Sequence, residues 1–214
     1  MKNYPVTDKT SITRLPKRGT YDAATVHAIL DDAMFCTIAF VKDGQPFQIP
    51  TGFVRIGETL YIHGSVGSTY MRMLAKEKSP VSISVTHMDG LVLARAVFHH
   101  SVNYRSVSIF SESPLISDRA ESDQVLEAFT EKMCRGRWAD ARKPTENEWK
   151  ETMLLGFPIM EAVAKVRTGD PKDDAEDYDL NVWAGVVPLN TERGEPIPDS
   201  RLKSGIPLPD YLKG

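Results

Sequence analysis

Residues 35–63 hold three apolar, partly β-branched runs separated by turns that leave room only for reversal. The first run, 35–41, ends at Lys42-Asp43-Gly44-Gln45, and Asp-Gly between two such runs is a strong hairpin signal. Residues 47–56 return, Gly57-Glu58 turns the chain again, and 59–63 form a third strand. Parallel neighbours need a crossover of about a dozen residues or more. These strands therefore form an antiparallel meander, and an all-parallel α/β sheet is excluded.

The rest of the chain extends that pattern. Residues 1–15 read as an extended arm. Asp22 is placed to cap a short helix whose inward face is Val26, Ile29 and Leu30. Residues 64–78 begin with glycines and hydroxyls and continue with Met71, Leu74 and Ala75 at helical spacing, a loop feeding a helix. Val81, Ile83 and Val85 alternate with Ser82, Ser84 and Thr86, a half-buried strand. Asp89-Gly90 is expected to turn the chain into two further strands, 91–97 and 105–110, around a polar stretch at 99–104. Helices are expected at 118–133, with Val125, Leu126 and Phe129 inward, and at 144–153. A strand at 159–166, an acidic loop at 170–179, a last strand at 182–189 and a Pro-rich tail from 196 to 214 complete the chain. About eight short antiparallel strands with few helices spell a mainly β, α+β architecture, an antiparallel barrel that protects its own edges. With no internal linker, residues 1–214 read as one domain.

Composition narrows the function. Hydrophobic residues make up 41% and charged residues 26%, as in a soluble globular protein. A net charge of −3 gives no global attraction to nucleic acid or to an anionic membrane, so a bound phosphate needs a local cluster of donors. No run of about 18 apolar residues occurs, and the polar N-terminus lacks the core of a signal peptide. Cys36 reads as a core residue and Cys134, near Arg135 and Arg137, as a surface one. With no CxxC pair, a reducing cytoplasm is the expected location.

Three segments bear on chemistry. His63-Gly64-Ser65-Val66-Gly67-Ser68-Thr69 joins a strand to a helix, where glycines admit close approach and Ser68 and Thr69 set hydroxyls beside free helix amides. A capped helix with a glycine turn is the plainer reading. His99-His100-Ser101-Val102-Asn103-Tyr104-Arg105-Ser106 is dense in donors, and a guanidinium fork matches phosphate oxygens. An ordinary polar loop is the alternative there. Adjacent histidines on a strand point to opposite faces, and no carboxylate stands near them in sequence, so no metal site is expected. Lys165 and Arg167 alternate with valine as a small basic stripe, and Trp183 in a late strand packs on a ligand ring, at a subunit interface or in the core.

Taken in order, several pieces resemble one family. They are Arg14-Leu15-Pro16-Lys17-Arg18-Gly19, Gln48-Ile49-Pro50-Thr51, His63-Gly64-Ser65, Asp89-Gly90-Leu91-Val92-Leu93-Ala94-Arg95, the run ending Asn103-Tyr104-Arg105-Ser106, Lys165-Val166-Arg167 and Trp183-Ala184-Gly185. The chain is similar to the pyridoxamine-phosphate-oxidase-related split barrels, in the flavin-nucleotide-binding branch that includes nitroimidazole-resistance reductases. The resemblance implies a homodimer with FMN at its interface and a small-molecule substrate. It implies that Gln48, Ile49, Pro50 and Thr51 run along the flavin ring through their backbone. His63, Gly64 and Ser65 then lie beside the ring or ribityl chain, and Ser68 and Thr69 hold the phosphate. Asn103, Arg105 and Ser106 reach in from a neighbouring strand, and Trp183 comes from the second subunit or the rim.

Two departures matter. Where the oxidases carry a basic pair after the serine equivalent to Ser68, this chain has Thr69-Tyr70, which leaves the phosphate charge to Arg72, Arg105 or Lys165. No histidine follows His100, which argues against oxidation of pyridoxamine phosphate itself. The expected function is an FMN-dependent oxidoreductase passing electrons from a nicotinamide or other donor to a small aromatic acceptor. Arg105 and Lys165 are candidates to stabilise reduced flavin, and His63 is the best residue for proton transfer. The absence of GxGxxG favours FMN over FAD, with a deazaflavin also open. A flavin carrier without turnover, or a haem protein using His63, His99 or His100, are the alternatives.

Overall fold

A computed structural model describes residues 2–77, 79–112 and 119–213. The chain enters through a two-residue strand, β1 (Gly19–Thr20), and helix α1 (Ala23–Asp32), whose N-cap Asp22 accepts hydrogen bonds from the Thr25 amide and hydroxyl at 2.9 and 2.8 Å. Those bonds hold the Asp22 carboxyl below its usual range. The meander follows as β2 (Phe35–Lys42), β3 (Gln45–Ile56) and β4 (Thr59–Ser65), all antiparallel. Asp43 and Gly44 both take positive φ, 52° and 76°, the mirror-image turn that matches strand twist.

Helix α2 (Thr69–Glu77) leads to β5 (Val81–Leu93). Here the sequence expectation fails: Asp89-Gly90 does not turn the chain. β5 runs straight through it with a bulge between Met88 and Gly90, and neither residue takes positive φ. A Cβ on Gly90 would sit 3.0 Å from Val186 Cγ1 and 3.1 Å from the Val187 carbonyl, so this glycine serves close strand approach. β6 (Ser101–Ser111) pairs along β5 and starts earlier than expected.

Helix α3 (Arg119–Met133) buries Val125 and Phe129 with Leu126 half-buried beside them; the expected first residue, Asp118, lies outside the described residues, as does Lys78. After the short α4 (Arg137–Asp140), α5 (Glu146–Glu151) opens on a capping box between Thr145 and Glu148 and stops before Met153. An unexpected strand, β7 (Thr152–Pro158), takes over there. Leu154, Leu155 and Phe157 are buried in a continuous apolar run, which lacks the alternation that marks a strand. β8 (Glu161–Arg167) and β9 (Gly185–Pro188) complete an all-antiparallel sheet of order β1-β8-β6-β5-β2-β3-β4-β7, with β9 on β5. Among the described residues the path is open between β1 and β7, so this is a split barrel rather than a closed one.

The main core fills the barrel, where Val26, Ile29 and Leu30 of α1 meet Ile38, Ile83, Val107, Leu60 and Leu155. Burying each such side chain contributes about 1.5–3 kcal/mol. The N-terminal arm belongs to this core: Tyr4 is buried in it, its amide bonds the Tyr21 carbonyl at 2.8 Å, and Asn3 bridges to Asp22. A second cluster lies under α3, from Val54, Tyr61, Val125, Phe129 and Leu154. The tail is anchored by Tyr211, whose hydroxyl donates to Asp140 at 2.6 Å.

Candidate functional site

The expected site residues divide among three places. The first is the free side of β3. Residues 45–52 pair with β2, whereas β4 pairs only from Phe53 onward, so one backbone edge along Gln48, Ile49, Pro50 and Thr51 has no ladder partner among the described strands. Alternation sends Gln48 and Pro50 to the outer sheet face, opposite Ala39 and Thr37, and Ile49 and Thr51 toward the core side. There Thr51 meets the phenol of Tyr70 in α2, and Tyr70 stacks on Phe40 with ring centroids 6.2 Å apart. Burial raises the Tyr70 pKa, with the Thr51 hydroxyl offsetting part of the rise. The loop before α2 is ordered by Ser65, whose Oγ accepts from the Gly67 amide at 3.0 Å and whose carbonyl accepts from Ser68 at 2.9 Å. Ser68 and exposed Thr69 then present the helix start. A Cβ on Gly64 would press on Met71, so that glycine makes room for α2.

His63 does not join this group closely. Its ring meets Phe129 of α3 edge-on, centroids 4.5 Å apart at 75°, on the opposite face of β4 from Gly64. Packing against α3 pushes its pKa down. Trp183 is exposed and folds over Gly185.

The second place is the α1 side of β6. Arg105 is held by two carboxylates: Nε and Nη2 donate to Asp89 at 3.0 and 2.9 Å, and Nη1 donates to Asp32 at 2.9 Å. The Asp89 hydrogen bond leads the causes that raise its pKa. The guanidinium fork is thus occupied within the chain. Ser106 and Lys165 lie opposite each other on the outer face, and Ser106 Oγ donates to the Lys165 carbonyl at 3.3 Å.

The third place is a cavity of about 600 Å³ at the β8 end, lined by Arg14, Arg18, His99, His100, Arg167 and Lys172 among others. The β1–β8 register, Gly19 against Lys165, brings Arg18 beside the end of β8. Leu15, between the two arginines, sits at φ 58°, a left-handed conformation that leucine adopts only under constraint. Arg167 is buried, and its partners are neutral: Asn103 Oδ1 and the carbonyls of Gly169 and Asp170, the latter two at 3.1 and 3.2 Å. Asn103 in turn donates to Gly169 at 3.2 Å. Burial, then the nearby Arg18, lowers the Arg167 pKa. Among the described residues no carboxylate pairs with it, and it lines the cavity. The expected open basic stripe is corrected accordingly: Lys165 Nζ donates to the Arg14 carbonyl at 3.3 Å, while Arg167 turns inward.

His99 and His100 lie on a 3-10 turn (Val97–His99) and its cap, not on a strand. The acidic loop returns to them, which sequence proximity could not show. The Asp173 side chain is buried and accepts from the Arg95 and Ala96 amides at 2.9 and 3.2 Å. Asp174 lies 3.3 Å from His99 Nε2, and with Asp177 these ligand atoms fall within 4.8 Å of one another at an open rim. Carboxylates thus do stand beside the histidines, supplied from far along the chain.

An open antiparallel sheet plugged by α1 and α2 is the split-barrel class. A family model described as pyridoxamine 5′-phosphate oxidase matches residues 22–166, and this chain belongs to that family. Among solved structures it is similar to the flavocytochrome Anf3 from Azotobacter vinelandii, at 35% identity and TM-score 0.90, covering 97% of this chain and 96% of that one. It is also similar to an FAD and heme binding protein from Mycobacterium smegmatis, at 37% identity and TM-score 0.87, covering 92% and 96%. A 5-nitroimidazole antibiotic resistance protein from Bacteroides thetaiotaomicron, at 19% identity and TM-score 0.59, covers 69% and 86% and shares the fold. Among curated proteins nothing matches. No described helix is long and apolar enough to cross a membrane.

Proposed function

We propose that this chain is a redox protein that holds a flavin and a haem and transfers electrons between a reduced donor, such as a nicotinamide, and a small acceptor. The observation that carries the reading is its likeness, along nearly the whole chain, to two proteins described as a flavocytochrome and as FAD and heme binding. That likeness extends past residue 166, where the family model ends, into the segment that supplies Arg167, Lys172 and the acidic loop.

The residues present fit both groups. The unpartnered edge of Gln48, Ile49, Pro50 and Thr51 offers backbone donors and acceptors to a flavin ring, and Ser65, Ser68 and Thr69 stand at the adjoining helix start for its phosphate. The cationic cavity matches the negative charge of a second cofactor. Bound at these residues, a flavin would supply two-electron and a haem one-electron chemistry. The protein's part is placement. Asp173 fixes the histidine turn, and Arg167, held by neutral acceptors, keeps its charge for an anion. We favour FAD over FMN because the 37% identical relative is described as binding FAD.

A homodimer suits the outer sheet face. There Thr37, Ala39, Ser82, Ser84, Thr86, Ser106 and Ser108 form a patch of small side chains, with Lys165 at its edge opposite Ser106 and with Phe35 and Met88, 66% and 55% exposed, beside it. Free Cys36 and Cys134 are in keeping with the cytoplasm. The test is to denature the purified protein, identify the released chromophores by mass, and measure its size by light scattering. Flavin and haem from a dimer support the reading. A colourless protein that takes up neither overturns it, and FMN in place of FAD corrects the flavin.

A further inference from the structure

We propose that the haem lies in the cationic cavity and that Nε2 of His100 is its iron ligand, an assignment that rests on the two-cofactor reading above. The tautomer follows from one contact. His100 Nδ1 lies 3.1 Å from the Ala96 carbonyl, which can only accept, so Nδ1 is the donor and in the neutral imidazole Nε2 carries the lone pair. A metal-ligating histidine ordinarily donates its other nitrogen in this way, to a carbonyl or carboxylate that fixes the ring. The turn beneath the ring is braced twice: the His99 and His100 amides donate to the Ala96 and Val97 carbonyls at 3.1 and 3.3 Å, and Asp173 holds the amides of Arg95 and Ala96.

The other histidines are placed otherwise. His27 is bound to Tyr4 at 2.8 Å, His87 Nε2 to the Ile29 carbonyl at 3.0 Å, and His63, exposed, meets the Phe129 ring edge-on away from the cavity. His99 also lines the cavity, but Asp174 faces its Nε2 at 3.3 Å. Among the described residues, His100 alone both lines the cavity and has Nε2 without a partner. The surroundings suit a porphyrin with two carboxylates. Arg14, Arg18 and Lys172 offer charge to the propionates. Val97 and Phe98, 89% and 90% exposed, are apolar surface at the same turn that a macrocycle would cover.

The test is haemin titration of the full-length protein, wild type, His100→Ala and His99→Ala, read by the Soret band and by the rate of haemin transfer to excess apomyoglobin. Wild type is expected to give a sharp Soret band. H100A is expected to shift it and to lose haemin roughly ten times faster or more, since even outer partners of a ligand cost that much. Added imidazole should restore the band, and flavin uptake by H100A should stay at the wild-type level, which reports that the variant folds. Wild type that takes no haemin sinks the two-cofactor reading and this assignment together. Wild type that takes haemin, with H100A unchanged or with H99A alone shifted, overturns only the assignment.

Discussion

Arg105 and Arg167 lie on neighbouring strands, one rung apart in the β6–β8 ladder, yet they have opposite fates. Arg105 is clasped by Asp89 and Asp32, and those contacts raise its pKa; among the described residues Arg167 meets only neutral acceptors, and burial, then the nearby Arg18, lowers its pKa. A guanidinium balanced by carboxylates within the chain has little left to give an anion. One held by amide and carbonyl oxygens is fixed in place with its charge intact. By this argument Arg167 is the arginine we propose for an anion, although Arg105 carries the more conspicuous donor motif.

The largest test of that contrast is Arg167→Met. It leaves Asn103 Oδ1 and two carbonyls without their charged donor, which costs about 3 kcal/mol and lowers the melting temperature by roughly 6–12 °C. Haemin or flavin retention in the same variant should drop at least tenfold, and the wild-type affinity should fall as salt rises. Unchanged melting together with unchanged retention would remove Arg167 from the site.

Gly90→Ala comes next, at the bulge that holds Asp89, the partner of Arg105. The added methyl would meet Val186 and the Val187 carbonyl, costing about 1–3 kcal/mol by thermal melting. Arg105→Ala is smaller, about 1 kcal/mol after solvent screening of a partly exposed pair, and should leave cofactor retention intact. If R105A released the flavin at wild-type stability, the roles of the two arginines would be exchanged.

The meander was legible because its information is local: Asp43-Gly44 dictates a hairpin from its own φ preferences. The same dipeptide at 89–90 misleads because a strand more than ninety residues later, β9, decides that Gly90 is a contact point. β7 was hidden by burial on both faces, which erases alternation, and by a good capping box just before it. Of the site, Ser65, Ser68, Thr69 and the backbone of 48–51 were grouped only through the family resemblance, and the structure links the two segments by the contact of Thr51 with Tyr70 of α2. The cavity was not, since Arg14 and Arg18 meet His100, Arg167 and Lys172 only through the β1–β8 register. Arg14-Leu15-Pro16-Lys17-Arg18 and His99-His100 did stand out; what the sequence lacked was the distance between them.

Lys132 extends the comparison to a third cation and gives the smallest effect. Its Nζ donates to the Leu30 carbonyl at 3.1 Å and sits 3.9 Å above the Phe53 ring, and burial lowers its pKa from 10.5 to about 8, against the pull of Asp31. Between these two values the unfolded chain binds more protons than the folded one, so this group's contribution to stability is full above about 10.5 and is lost as pH falls through about 8. Cys36 works in the opposite sense: burial pushes its thiol up to about 12, so its contribution fades as pH rises above its ordinary value of 9.0. Wild type alone would mix the two. The difference between wild type and Lys132→Met, measured by urea unfolding from about pH 7 to about pH 10, isolates the lysine. K132M should be favoured at the lower pH and lose that advantage toward the higher one; a constant difference across the range would mean that the cation above Phe53 stays fully hydrated.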